Sequence, residues 1–148
     1  MILKPQDLLV SLKVLPNGNA KWNQRALAQS LGMSLSQVNG SLERAVKAGL
    51  MFRGDSRNDS PNAFPYALDE FIAHGVRAAF PVQKGAPTIG IPSGVIGAQI
   101  DHEFMEVREI EVPVWPSPHG KSRGIGIMPL FKSIPEVVER PENRDLYT

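Results

Sequence analysis

The chain of 148 residues contains no cysteine. That excludes a disulfide framework, a thiolate zinc site and a thiol nucleophile, so no thiol redox chemistry is available to it. No stretch approaches the roughly eighteen uncharged apolar residues that a membrane span requires. The N-terminus carries no basic segment followed by an apolar run, so a cytoplasmic protein is expected. An excess of either charge is missing too: 16 basic residues face 15 acidic ones, a formal net charge of +1, which for the chain as a whole gives little sign of a nucleic-acid partner. What the chain does have is a hydrophobic content of 42%, enough for a packed core and too much for general disorder.

The near-neutral total hides an asymmetry. Through Phe80 there are nine basic and six acidic residues, +3, and from Pro81 onward seven basic and nine acidic, −2. Residues 81–97 contain Gly85, Pro87, Gly90, Pro92, Gly94 and Gly97, a density of breakers that forbids a helix and implies an extended path. These shifts divide the chain into an N-terminal part, 1–80, and a C-terminal part, 81–148, each long enough for a small domain.

The spacing that fits a specific device lies between Gln24 and Phe52. Leu27, Ala28 and Leu31 repeat at three and four residues, one face of a helix, and Gly32 follows where a helix end favours a left-handed residue. Ser34 and Ser36 both suit the N-cap of a second helix, whose apolar set is Val38, Leu42, Ala45, Val46 and Leu50. Two short helices joined by a tight turn make a helix-turn-helix. When such a motif reads DNA, the second helix enters the major groove N-terminus first. The residues expected on its outer face are Ser34, Ser36, Gln37, Asn39, Gly40, Ser41 and Arg44. Gln and Asn pair bidentately with adenine and Arg with guanine, while Ser reaches a phosphate or a base edge. Gly40 inside this helix costs about 1 kcal/mol relative to alanine, and close backbone approach is one use for it.

Ala28, Gly32, Val38 and Leu42, with Ala48-Gly49-Leu50 closing the helix, resemble the winged helix-turn-helix transcriptional regulators of the MarR-like type over roughly the first half of the chain. The resemblance implies a strand, a turn and a returning strand after Leu50, for which Met51-Phe52-Arg53 and residues 54–60 supply the material. It places Arg53 and Arg57 beside DNA.

A first helix is expected from Pro5 to about Val14, with proline tolerated in its first turn and Leu8, Leu9, Leu12 and Leu15 as its buried stripe. Pro16-Asn17-Gly18-Asn19 forms a turn, and Trp22 opens a short strand-like segment packed on the core. After the wing, Tyr66 to Phe80 reads as one helix with Leu68, Phe71, Ile72, Val76 and Ala79 apolar and Asp69 and Glu70 in the first turn.

In the C-terminal part the alternation from Val107 to Trp115 predicts a half-buried strand. Gly124 to Leu130 predicts a second, the two forming a hairpin across a turn at 116–120. Ser133-Ile134-Pro135-Glu136 has capping-box spacing and starts a short helix with Val137 and Val138 buried. Pro141 ends it, and Leu146 and Tyr147 begin an apolar helix face that is not continued.

Other chemistry is weaker. Gly90-Ile91-Pro92-Ser93-Gly94 lacks the lysine and the strand-to-helix frame of a phosphate loop. Asp101, His102, Glu103 and Glu106 gather three carboxylates and an imidazole, and a helix would put His102 and Glu106 on one face. An acidic solvated surface produces the same letters, and no second histidine stands at ligand spacing. No serine, histidine and acid fall into a triad pattern.

The expectation is therefore an α+β chain, an N-terminal winged helix-turn-helix followed by a small β-rich, Pro/Gly-rich part, with no enzymatic activity, cofactor or metal. Its partner is double-stranded DNA, bound as a homodimer acting as a repressor, because one small reading head supplies little affinity alone. The alternative is an interaction module resembling an antitoxin, in which residues 81–148 hold a second protein.

Overall fold

The computed structural model describes residues 1–56, 59–93 and 112–147. It divides into two compact units, Met1–Pro81 and Val82–Thr148, and the chain is of mixed α and β type, helical in its N-terminal part with a small sheet toward the C-terminus.

In the first unit, α1 spans Pro5–Val14, α2 Gln24–Leu31 and α3 Leu35–Lys47. Proline opens α1, and Lys4 and Asp7 close a reciprocal cap there, the Lys4 N–H donating to Asp7 Oδ2 at 2.7 Å. The buried side of α1 is Asp7, Leu8, Leu9, Val10, Ser11 and Val14, while Leu12 and Leu15 are only half-buried, so its core face is rotated from the leucine stripe expected. Trp22 lies in irregular chain and not in a strand; its indole N–H donates to the Pro61 carbonyl at 3.0 Å. Asn23 caps α2, accepting from the Arg25 and Ala26 N–H groups. Gly32 ends that helix at φ 61, a conformation costly for any residue with a Cβ.

After α3, Gly49 turns the chain at φ 77, with its N–H on the Val46 carbonyl and that of Leu50 on the Ala45 carbonyl. Strands β1, Met51–Phe52, and β2, Asn62–Ala63, pair antiparallel with Met51 opposite Ala63. The segment expected as one helix from Tyr66 is broken into three. Helix α4 covers Pro65–Glu70, a π-helical turn Phe71–Gly75, and α5 Val76–Ala79. The cause is at Gly75, where a Cβ would lie 2.6 Å from the Phe71 ring; the missing side chain lets that ring fold over the backbone and stack edge-on with Phe80 at 6.1 Å. Because α4 starts at Pro65, Asp69 and Glu70 fall outside its first turn, and of the expected stripe only Leu68 is buried.

The second unit contains β3, Lys84–Pro92, β4, Pro113–Pro116, and β5, Ser122–Ile127, closed into a three-stranded barrel. Strand β3 is antiparallel to both others, and Gly90 pairs with Pro116 on one side and Ser122 on the other. The expected hairpin between the last two strands is not formed: β4 and β5 run parallel, Pro113 opposite Ile125. Glycine allows this crossing. A Cβ on Gly90 would collide with the Trp115 carbonyl, one on Gly124 with the Val112 carbonyl, and one on Gly120 with the Gly90 backbone. The expected strand from Val107 is described only from Val112. Helix α6, Ile134–Val137, forms where proposed, but Ser133 is in a helical conformation without a side-chain cap, and Val138 is only half-buried. A 3-10 turn, Pro141–Asn143, leads to α7, Arg144–Tyr147, whose Tyr147 packs edge-on against Trp115 at 5.9 Å. Among the described residues no helix is long and apolar enough to cross a membrane.

Candidate nucleic-acid interface

The site is built on α3. Ser34 is its N-cap, and not Ser36: the Gln37 N–H donates to Ser34 Oγ at 3.2 Å, and the Ser34 N–H donates back to Gln37 Oε1 at 2.9 Å. Two orphan donors of the first turn are thereby satisfied. Val38, Leu42 and Ala45 face inward and are buried. Ser36 and Asn39 are exposed, and among the described residues neither side chain is engaged. At helical spacing Glu43 and Lys47, both exposed, continue the same outer stripe.

Two of the expected reading residues are not on that face. Ser41 is fully buried, where its Oγ lies 3.2 Å from Gln6 Nε2 and 3.3 Å from Arg44 Nη2, accepting from both. Arg44 turns inward to Asp7, its Nε donating to Oδ2 at 2.8 Å and its Nη2 to Oδ1 at 2.7 Å, with only 14% of the arginine side chain exposed. A bidentate guanidinium–carboxylate pair is strong and geometrically demanding. Its hydrogen bonds to Asp7 raise the Arg44 pKa above the ordinary arginine value, outweighing the opposing effect of burial, so the group is a permanent cation. Gly40 is accounted for by the same pair: a Cβ there would sit 3.1 Å from Arg44 Nη1, so the glycine leaves the lane along which the arginine lies back toward α1. Ser41, Arg44 and Gly40 thus anchor α3 to α1. The signal was in the spacing, since Ser41 stands three residues after Val38, on the apolar stripe, and Asp7 stands three before Val10 and seven before Val14.

Between the strands, Arg53 is half-buried. Its Nη2 pairs with Glu43, and its Nη1 donates to the Asp59 carbonyl at 3.3 Å. Arg57 lies outside the described residues. Exposed cations outside the expected set include Lys21, Arg25 at the start of α2, and Lys47 at the end of α3.

No family model, curated protein or solved structure matches this chain.

The site rests on its own geometry. Of the other sequence features, Gly90, Ile91 and Pro92 belong to β3 and not to a phosphate loop. The cluster from Asp101 to Glu106 lies outside the described residues. His74 is exposed in the π-helical turn, and the His119 N–H donates to Ser117 Oγ at 3.3 Å in the turn before β5. Among the described residues no group of three metal-ligating side chains gathers.

Proposed function

We propose that the N-terminal unit is a winged helix-turn-helix and that the chain is a sequence-specific regulator binding double-stranded DNA as a dimer. Helix α3 is the reading helix in this proposal, and the β1–β2 loop, with Arg53 and Arg57, is the wing. The observation that carries it is the division of labour on α3. One side is locked to α1 through Asp7, Arg44 and Ser41, while the N-terminal turn stands in solvent with Ser36 and Asn39 unengaged. A rigidly held helix presenting amide and hydroxyl groups at its N-terminal end suits direct readout of base edges. Gln37, half-buried and tied into the cap by its Oε1, retains its amide N–H donors for an acceptor such as adenine N7. Arg25 and Lys47 are added as candidate phosphate contacts. Residues 82–148 then serve dimerisation or sensing, and the regulator acts as a repressor.

Selection of bound fragments from random duplex DNA at moderate salt, followed by titration against a scrambled duplex, tests the reading. A palindromic motif with a large specificity ratio is expected. Asn39→Ala should lose about 1–3 kcal/mol at one operator position and relax specificity there, whereas Arg53→Ala should weaken all duplexes alike and flatten the salt dependence. Equal binding to both duplexes, or none, overturns the proposal and favours a protein partner for residues 81–148.

A further inference from the structure

We propose that a recess at the root of the β1–β2 loop binds a small zwitterion of the α-amino-acid class, a site that does not depend on the DNA reading. The recess has a volume of about 300 Å³ and is lined by Asn19, Lys21 and Trp22 from the chain before α2, and by Asp59, Ser60 and Asn62 from the loop and β2. Its wall is stitched together before any ligand arrives. The Trp22 indole N–H holds the Pro61 carbonyl at 3.0 Å, and the Ser60 hydroxyl donates to the Trp22 carbonyl at 3.3 Å.

The lining groups themselves are unspent. The side chains of Asn19, Lys21, Asp59 and Asn62 make no hydrogen bond or ion pair among the described residues. Lys21 and Asp59 therefore bring opposite charges to one recess without pairing with each other, leaving room for a molecule that carries both complementary charges. Of Asp59, Arg53 touches only the backbone carbonyl, its other contact being Glu43, so the Asp59 carboxylate stays available. Gly54 makes space for it, since a Cβ there would lie 3.0 Å from Asp59 Oδ2. A ligand carboxylate on Lys21 and a ligand ammonium on Asp59 would each form a charge-assisted hydrogen bond, with the two asparagine amides completing its shell. A nucleic-acid phosphate fits less well, because the Asp59 carboxylate repels it. Occupancy would join the loop to the segment entering α2, two parts of the chain separated by more than thirty residues in sequence.

The experiment is calorimetric titration of the full chain with the free α-amino acids at neutral pH, using acetate and methylamine as singly charged probes. Saturable binding of at least one amino acid is expected, weakened about tenfold or more by Lys21→Met and likewise by Asp59→Asn, with no saturable binding of either single-charge probe. Unchanged thermal unfolding of both variants would show that the recess, and not the fold, was altered. The proposal is overturned if no amino acid binds saturably, if binding survives both substitutions, or if acetate alone binds as tightly. It is equally overturned if Lys21→Met lowers only affinity for duplex DNA, which would make the recess part of a phosphate-contacting surface.

Discussion

A carboxylate with no exposure, such as that of Asp7, has lost its hydration and must recover it from the protein. Here the compensation comes from the Lys4 backbone and the two-pronged contact of Arg44. Removing one partner of a buried pair leaves an uncompensated charge, whereas replacing both with apolar groups of similar volume is often close to neutral. Arg44→Met is therefore expected to destabilise the first unit by about 3 kcal/mol, and the double change Asp7→Leu with Arg44→Met to recover most of that loss. Urea midpoints followed through Trp22 fluorescence measure both. A loss below about 1 kcal/mol, the size of an exposed ion pair, would mean that the pair does not hold α3 in place. If α3 reads DNA, Arg44→Met should also weaken binding to the operator without shifting preference at any base, since Arg44 positions the helix from its inner side.

At the scale of elements, the second unit depends on close backbone crossings that no side chain can occupy. In β3 and β5 the glycines are the points where three strands meet: Gly90 pairs on both sides, and Gly124 passes against the Val112 carbonyl. A methyl group at Gly124 would have to displace backbone, which is stiff, and not the end of a flexible side chain. Gly124→Ala should therefore cost several times the roughly 0.5–1 kcal/mol that favours alanine over glycine in regular structure. Its signature would be loss of amide shift dispersion for residues 84–92 and 113–127 in a heteronuclear spectrum, with the signals of α1 to α3 unchanged. Retained dispersion in β3 would mean that the barrel tolerates the added carbon and that the crossing is looser than the geometry implies.

At the scale of the whole molecule, each unit has its own core and its own tryptophan, Trp22 in Met1–Pro81 and Trp115 in Val82–Thr148. Trp115 meets the ring of Tyr147 edge-on, and the Tyr147 hydroxyl is buried without a hydrogen-bond partner among the described residues. Burial pushes the Tyr147 phenol up to about 12 from the ordinary tyrosine value of 10.0. Below the unfolded value the group is neutral in both states and stability is unaffected by pH. Between 10 and 12 the unfolded chain releases this proton while the folded chain keeps it, so stability falls as pH rises through that window. Comparing urea midpoints at about pH 9 and about pH 11 should show a drop reported by Trp115, and Tyr147→Phe should remove that part of the drop. A change of equal size in the Trp22 signal would mean that the two units unfold together.

Local rules acting over a few residues were legible in the sequence. Proline at the start of α1, Gly32 at the end of α2, the serine cap of α3 and the Gly49 turn before β1 are decided by backbone sterics and hydrogen bonds within a turn or two. The mixed α and β character followed from the same signals, as did the outward placement of Ser36 and Asn39. Which polar residues of α3 turn inward was decided by tertiary structure, because Ser41 and Arg44 are held by Gln6 and Asp7 more than thirty positions away, and a buried pair of this kind is specified by the partner helix. The break at Phe71–Gly75 and the parallel pairing of β4 with β5 were likewise decided in three dimensions. A glycine in sequence reads as a breaker wherever it occurs, and only the fold reveals whether its missing side chain ends an element or admits a ring or another strand.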